Sequence, residues 1–518
     1  MSTRADLIIT SARLWDGSPL DAEAIAIGAG MVQARGSNRD IMQLRSGETR
    51  LIDVEGRRVI PGLIDSHIHL VRAGRTWAAE VRWEGVTTLE RGLADIADHV
   101  EHLPTGSWTG VIGGWHPGQF EERRPPTRAE LDRAAPEHPV FVQRNYVEAF
   151  LNSRALDAMG WTDAHPDGRV VDPASLAVLR AAITNDEAAM VDSTREMLRE
   201  LNRLGLTGAI DAAGFGMNAE SYVPFFALFD GAERGFRTRL LVGAATPGEE
   251  RADFGRWVET VAPGSGDDFV RYLGAGELVT YAAHDMEGLS PRDVSPATAE
   301  IAAISQDLAD RGWPVHVHGI LDSSVRVILD AWETLEPRGL PAELRYAICH
   351  ADQVGEENLR RIADLGVGIT LQGGMAFRGL DSAATWAVAQ LEQAPRPRTM
   401  LDLGIPVGAG SDGTVAASYN PWTCISWLVT GKTVDGSAPR DDKQLVDVSE
   451  ALRLYTGGSA WFSFEADTRG NLQPGSHADL AVLSTDPLTS SPDSLPSVES
   501  VMTIVGGEII HSNIDTRG

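Results

Sequence analysis

The chain has 518 residues, 43% hydrophobic and 23% charged, which is enough for a large core with a smaller second domain and too apolar for a disordered chain. Its 45 basic and 73 acidic residues give a formal charge of −28, which repels phosphate backbones and anionic lipid, so neither nucleic acid nor a membrane surface is expected as a partner. The opening "MSTRADLIIT" lacks a basic segment running into a sustained apolar core, and no apolar run reaches membrane-spanning length. Cys349 and Cys424 lie in apolar surroundings without a CxxC pairing, so a cytoplasmic protein with two buried free thiols is expected.

The first segments, "ADLIITSARLWDG", "AIAIGAGMVQARG" and "RLIDVEGRRVIPG", are short apolar or alternating runs between Gly, Asp and Ser turns, and predict β structure. "HADLAVLSTDP" and "SVMTIVGGEIIHS" repeat that texture at the far end, so the two ends are candidates for one shared small sheet or for two separate caps. Next comes "VIPGLIDSHIHL", residues 59 to 70, an apolar strand that closes on two histidines. Residues 75 to about 200, rich in Pro, Arg and Trp around "TGSWTGVIGGWHPGQFEERRPPTRAELDRAAPEHPVFVQRNY", predict an insertion over one mouth of the fold.

Beyond it, strands follow helices repeatedly: "TGAIDAAG" after "STREMLRELNRLG", "WPVHVHG" after "SPATAEIAAISQDLADRG", "RYAICHA" after "SSVRVILDAWETL", "GVGITLQG" after "EENLRRIADL" and "IPVGAGSDG" after "PRTMLDLG". Such alternation predicts an α/β protein with a parallel sheet, and its length and number of units favour a (β/α)₈ barrel over a doubly wound sheet.

Residues two apart on a strand face the same side, so His67 and His69 aim at one point while Ile68 faces away. Such a pair either ligates a divalent metal or caps a strand through backbone hydrogen bonds. The remaining histidines favour the metal: His316 and His318 end one predicted strand, His350 ends another, and Asp412 ends "IPVGAGSDG". These are the C-terminal strand ends where parallel barrels build active sites, and three histidines, an aspartate and an open position suit hydrolytic zinc.

Taken in order, these motifs resemble the amidohydrolase superfamily, in the branch similar to N-substituted formamide deformylases. "VIPGLIDSHIHL" is similar to the family's metal-binding first strand, and "GWPVHVHGILDSSVRVILDAWE" to its fifth, which puts the ligand at His318 rather than His316. "LRYAICHADQV" resembles the sixth strand with its histidine at His350, and "GAGSDGTVAASYNPW" the eighth with its aspartate at Asp412. "EALRLYTGGSAWFSFEADTRGNLQPGSHADLAVLSTDP" resembles the return to a β-sandwich, and "RPPTRAELDRAAPEHPVFVQRNYVEAFLNSRAL" the insertion typical of the branch. The resemblance implies a TIM-type barrel over 61–457, a small β-sandwich from 1–60 and 458–518, and a metal-dependent hydrolase of amide, formamide or cyclic amide C–N bonds acting on small molecules.

Its ligand set here is His67, His69, His318, His350 and Asp412. His350 and Asp412 carry catalytic roles, Asp412 as proton carrier and His350 as completing the metal shell or polarising the substrate carbonyl. Zn²⁺ is the expected ion, with Mn²⁺, Fe²⁺ or Co²⁺ also compatible with nitrogen-rich ligands.

Two departures bear on this. Where relatives place a carboxylated, metal-bridging lysine, "FVRYLGAGELV" offers Arg271, whose guanidinium cannot form a carbamate, so one ion is expected rather than two. Glu277 offers a carboxylate instead, with a structural role or a place behind the ligands the commoner use of such a residue. A histidine common in the relatives' insertion is Val147 here.

Other residues have simpler readings. Asp65 supports the strand end, His316 either backs the site or packs in the core, His116, His138 and His284 lie in solvated loops, and Trp115 and Trp422 pack. Two alternatives share the scaffold: a non-hydrolytic lyase, hydratase or isomerase, and a catalytically silent binding protein. A homo-oligomer is compatible with the sequence, and the substrate is not readable from it.

Overall fold

The computed structural model describes residues 4–146, 148–184, 187–229, 234–286, 293–335 and 340–514. Among them, eight parallel strands carry the centre: β1 (Leu63–Ile68), β2 (Leu206–Asp211), β3 (Arg237–Val242), β4 (Val270–Ala275), β5 (His316–Leu321), β6 (Ala347–Gln353), β7 (Gly368–Gln372) and β8 (Val407–Gly410). They form two four-stranded sheets, ordered β4-β3-β2-β1 and β5-β6-β7-β8. Their edges meet twice. Ala275 bridges Val315 in parallel where β4 reaches β5. Where β8 reaches β1, Asp412 N donates to the His67 carbonyl at 2.9 Å and His69 N to the Gly413 carbonyl at 3.1 Å.

These strands are buried along almost their whole length, which is why they read as apolar runs rather than alternations. Helices return the chain between them with an apolar stripe inward; in Glu356–Asp364, Leu359 and Ile362 are buried while Glu356, Glu357 and Arg360 face out. Pro421–Thr430 shows how such a helix is bounded: Asn420 caps it by accepting from Trp422 N at 2.9 Å, Pro421 occupies the first turn, and Gly431 ends it with φ 67°.

The two chain ends share a sheet, Val59–Pro61 pairing antiparallel with Leu480–Val482. That five-stranded sheet faces a four-stranded one built from residues 7–53 across Leu7, Ile9, Ile25, Ile27, Val59, Leu480, Val482 and Ile504. Buried ion pairs join this unit to the central strands: Arg239 to Glu465 at 2.7 Å and Arg237 to Asp479 at 2.8 Å. Residues 109–170 contribute a further four-stranded sheet with its own core around Trp83, Trp115, Phe120 and Val142. Arg144 fastens it to the helix Met375–Ser382 through Asp381 at 2.7 Å, beside the C-terminal ends of the central strands.

Candidate metal centre

β1 buries Asp65, Ser66 and His67 in an otherwise apolar strand, an arrangement that needs polar partners. Asp65 finds them in backbone: its Oδ1 accepts from His67 N at 3.0 Å and from Ser411 N at 3.1 Å, stapling β1 to β8. His67 and His69 then project to one side. His67 Nε2 lies 3.6 Å from Glu277 Oε2 and 3.8 Å from Asp412 Oδ1. His69 Nε2 lies 3.1 Å from Asp412 Oδ1 and 3.4 Å from Glu277 Oε1, while its Nδ1 donates to the Ala213 carbonyl at 2.5 Å, fixing the ring orientation as carbonyls behind metal ligands do.

The opposite sheet closes the cluster. His318, on β5, has Nδ1 3.0 Å from Glu277 Oε2 and Nε2 2.9 Å from Asp285 Oδ1. His350, on β6, has Nε2 3.2 Å from the same Glu277 oxygen. Among the described residues, three overlapping groups could hold a cation, each with ligand atoms within 4.8 Å of one another: His67, His69 and Asp412; His67, Glu277 and His350; Glu277, His284 and His318. His350, Asp412 and Ala213 all adopt positive φ, a conformation unfavourable for side-chain-bearing residues and gathered here at the strand ends.

Burial opposes ionisation of both carboxylates, yet His69, His350 and His67 around Asp412, and His67 and His318 around Glu277, hold both well below the usual range. Burial and Arg72 disfavour charge on His69, but Asp412 and Glu277 prevail and raise it. Burial is likewise overcome at His318, which Glu277 and Asp285 push up to about 10. Burial pushes His67 down to about 3 and also lowers His350. His69 and His318 are thus the imidazoles whose charge the neighbouring carboxylates of Asp412, Glu277 and Asp285 favour. Both ring nitrogens of His67 are buried without a hydrogen-bond partner among the described residues. A buried imidazole in that state, facing two carboxylates, fits a metal ligand better than a packed histidine. Tyr146, Phe215, Met286 and Arg378 complete a small cavity of about 20 Å³.

A profile of the amidohydrolase family matches residues 50–511. The chain belongs to the amidohydrolase family. This amidohydrolase is 26% identical to N-substituted formamide deformylase of Arthrobacter pascens, over 98% of each chain. It is also 26% identical to the putative amidohydrolase YtcJ of Bacillus subtilis (strain 168), over 94% of this chain and 96% of that one. An uncharacterised metal-dependent hydrolase from Pyrococcus horikoshii shares the fold, with a TM-score of 0.67, 21% identity, and coverage of 94% of this chain and 99% of its own. Family membership makes the protein a metal-dependent hydrolase of carbon–nitrogen bonds other than peptide bonds.

The structure brings His67, His69, His318, His350 and Asp412 together. It also corrects several expectations about this amidohydrolase. Arg271 is not at the site: it starts β4 and pairs with Glu465 at 2.8 Å, while the position facing the cluster, six residues on, is Glu277. Glu277 lies within 3.6 Å of four histidines and belongs to two of the candidate ligand groups among the described residues. The sequence carries a signal for it, because "GAGE" at the end of β4 parallels "GAGSD" at the end of β8.

His284 is buried rather than solvated and stacks on His318 with ring centroids 3.7 Å apart, and His138 is buried against the Ser107 carbonyl at 3.1 Å. His116 is partly buried, its Nδ1 accepting from Gly118 N at 2.9 Å. His316 is buried against Phe462 with both nitrogens lacking partners among the described residues, so it is neither hydrogen-bonded nor part of the cluster. Trp115 and Trp422 pack, donating to the carbonyls of Gln143 at 3.0 Å and Leu204 at 2.9 Å. Cys349 and Cys424 are buried and free. Val147 lies outside the described residues.

Proposed function

We propose that the protein hydrolyses an amide, formamide or cyclic amide of a small molecule at a zinc-class ion held first by His67, His69 and Asp412, with His350 and His318 joined to that group through Glu277. What supports this is the convergence of imidazoles and carboxylates from β1, β4, β5, β6 and β8 in one buried cluster. The eight strands read best as a closed (β/α)₈ barrel, since both sheet edges meet through backbone hydrogen bonds, with 1–60 and 458–518 as the small β-sandwich domain and the residues 75 to about 200 covering the mouth. Two free buried cysteines favour a reducing, cytoplasmic setting.

A bound divalent cation supplies Lewis acidity and an acidified water. Asp412, held anionic in the cluster, accepts a proton from the attacking water and returns it to the departing nitrogen. The water oxygen joins the acyl carbon, the C–N bond breaks, and an acid and an amine leave. His350 completes the cluster beside Glu277 and orients the carbonyl. His69 is kept in place by the Ala213 carbonyl, and the buried setting excludes bulk water from the proton transfer.

Elemental analysis of the purified protein, with a panel of N-formyl, N-acyl and cyclic amides assayed before and after chelation, tests this reading. One ion per chain and chelator-sensitive hydrolysis are expected. A second equivalent assigns Glu277 as a bridge between two ions, whereas hydrolysis unaffected by complete metal removal refutes the proposal.

A further inference from the structure

Arg72 lies three residues beyond His69, in the short helix Leu70–Gly74. Its Nη1 donates to the Tyr146 hydroxyl at 2.6 Å, and its guanidinium carbon sits 5.5 Å from that ring's centroid. Its other edge, Nε and Nη2, is buried with no acceptor among the described residues. The Arg72 side chain borders a small cavity together with His69, Tyr146, Phe215, Glu277 and His284, beside the metal centre.

Among the described residues, no carboxylate accepts a hydrogen bond from it. Asp211, on which Arg72 acts electrostatically, gives its oxygens to Val71 N and Ala213 N, each at 2.9 Å. A second guanidinium repels it: Arg180, from the helix Pro173–Ala182, bonds Gln143 Oε1 at 3.1 Å, and both burial and Arg72 disfavour its charge. Glu80, the acid acting on Arg180, is ion-paired with Arg82. In a chain of charge −28, two arginines that repel each other and have no carboxylate ion pair among the described residues, beside a hydrolytic cluster, suit an anion. The Nε–Nη edge of arginine matches a planar carboxylate through two parallel hydrogen bonds.

We propose that Arg72 is a specificity residue that receives a carboxylate of the substrate through Nε and Nη2, so that the preferred substrates are N-acyl or N-formyl compounds bearing a carboxylate, N-acylated amino acids being the simplest. This rests on the C–N hydrolase reading. The reaction is balanced by water alone: its oxygen joins the acyl carbon, the C–N bond breaks, the nitrogen takes the proton, and the bound carboxylate is unchanged.

The test compares the metal-loaded wild type with Arg72→Met on N-acetylglycine, N-formylmethionine and their α-carboxamides, following amine release and, separately, binding by calorimetry. The wild type prefers the acids, and the acid-to-carboxamide ratio of kcat/KM falls roughly 10- to 100-fold in Arg72→Met, the worth of a charge-assisted pair. Arg180→Gln shifts the ratio the same way by less. The ratio is taken within each variant, so a general loss of active protein cancels. Equal ratios in wild type and Arg72→Met, or a wild-type preference for carboxamides, overturn the proposal. If none of these compounds nor the wider amide panel is hydrolysed, the C–N hydrolase reading fails by itself. Calorimetry still decides the subsite: N-acetylglycine affinity at least 10-fold weaker in Arg72→Met supports it, and equal or absent binding in both forms overturns it.

Discussion

Replacing Glu277 with glutamine preserves the side chain's shape and removes one negative charge from the middle of four imidazoles. Its carboxylate lies 3.0 Å from His318, 3.2 Å from His350, 3.4 Å from His69 and 3.6 Å from His67. Two unit charges 4 Å apart interact by about 4 kcal/mol at an effective dielectric constant near 20, and a divalent cation doubles that. The glutamine amide keeps part of the attraction as a dipole, so the net loss for a cation in the cluster is on the order of 5 kcal/mol, or about 10³- to 10⁴-fold in affinity.

Thermal melts with and without added zinc, paired with elemental analysis after dialysis against a chelator, read this directly. A ligand that binds only the folded state raises stability by RT ln(1 + [L]/Kd), so the wild type melts higher with zinc and Glu277→Gln shows no such increment at the same concentration. Amide hydrolysis falls in step with metal content. A Glu277→Gln protein that keeps wild-type metal content and the full zinc-dependent rise would refute the placement of this carboxylate in the ion's surroundings.

His67→Ala removes a residue shared by two of the three ligand groups, so both metal content and hydrolysis are expected to collapse; full retention of either contradicts its role. His316→Leu is expected to be neutral or stabilising in urea denaturation, because it removes a buried imidazole whose unmet hydrogen bonds cost about 1–3 kcal/mol. Metal loss in that variant would show that His316 belongs to the cluster after all. Glu465 accepts from Arg239 at 2.7 Å and Arg469 at 3.1 Å and pairs with Arg271 at 2.8 Å, so Glu465→Gln, which strips the charge from a buried network, is expected to lower stability by about 3–5 kcal/mol at neutral pH.

Burial opposes the charge on Glu465, but the three guanidiniums hold its carboxyl well below the ordinary range. Its contribution is therefore complete above the unfolded value of about 4.3 and is lost as pH falls through the lower folded value. Denaturation at pH 7 and pH 4 should show the wild type losing more stability than Glu465→Gln, and parallel losses would count against the network.

The alternation of strands and helices was legible because strands buried on both faces must be apolar throughout, whereas helices buried on one face must repeat with the helical period. His67 and His69 were legible for a similar reason, since spacing two on a strand fixes a common direction whatever the partners are. His318, His350 and Asp412 were found because each stands at the end of an apolar run. Glu277 stands in the same kind of place but was obscured by Arg271, six residues earlier, which belongs to the opposite end of β4 and to the ion pairs beneath the strands. His284 and Arg72 carried no local signal, because their significance is which groups face them and which do not.

Local sequence thus determined the elements and the candidate ligands, since propensity, periodicity and side-chain direction act over a few residues. Only the tertiary structure decided which carboxylate stands among the histidines, which histidines are buried in the cluster, and that Arg72 borders the adjoining cavity. Those facts depend on distances and desolvation between segments up to 345 residues apart, such as His67 and Asp412, and no window along the chain contains them.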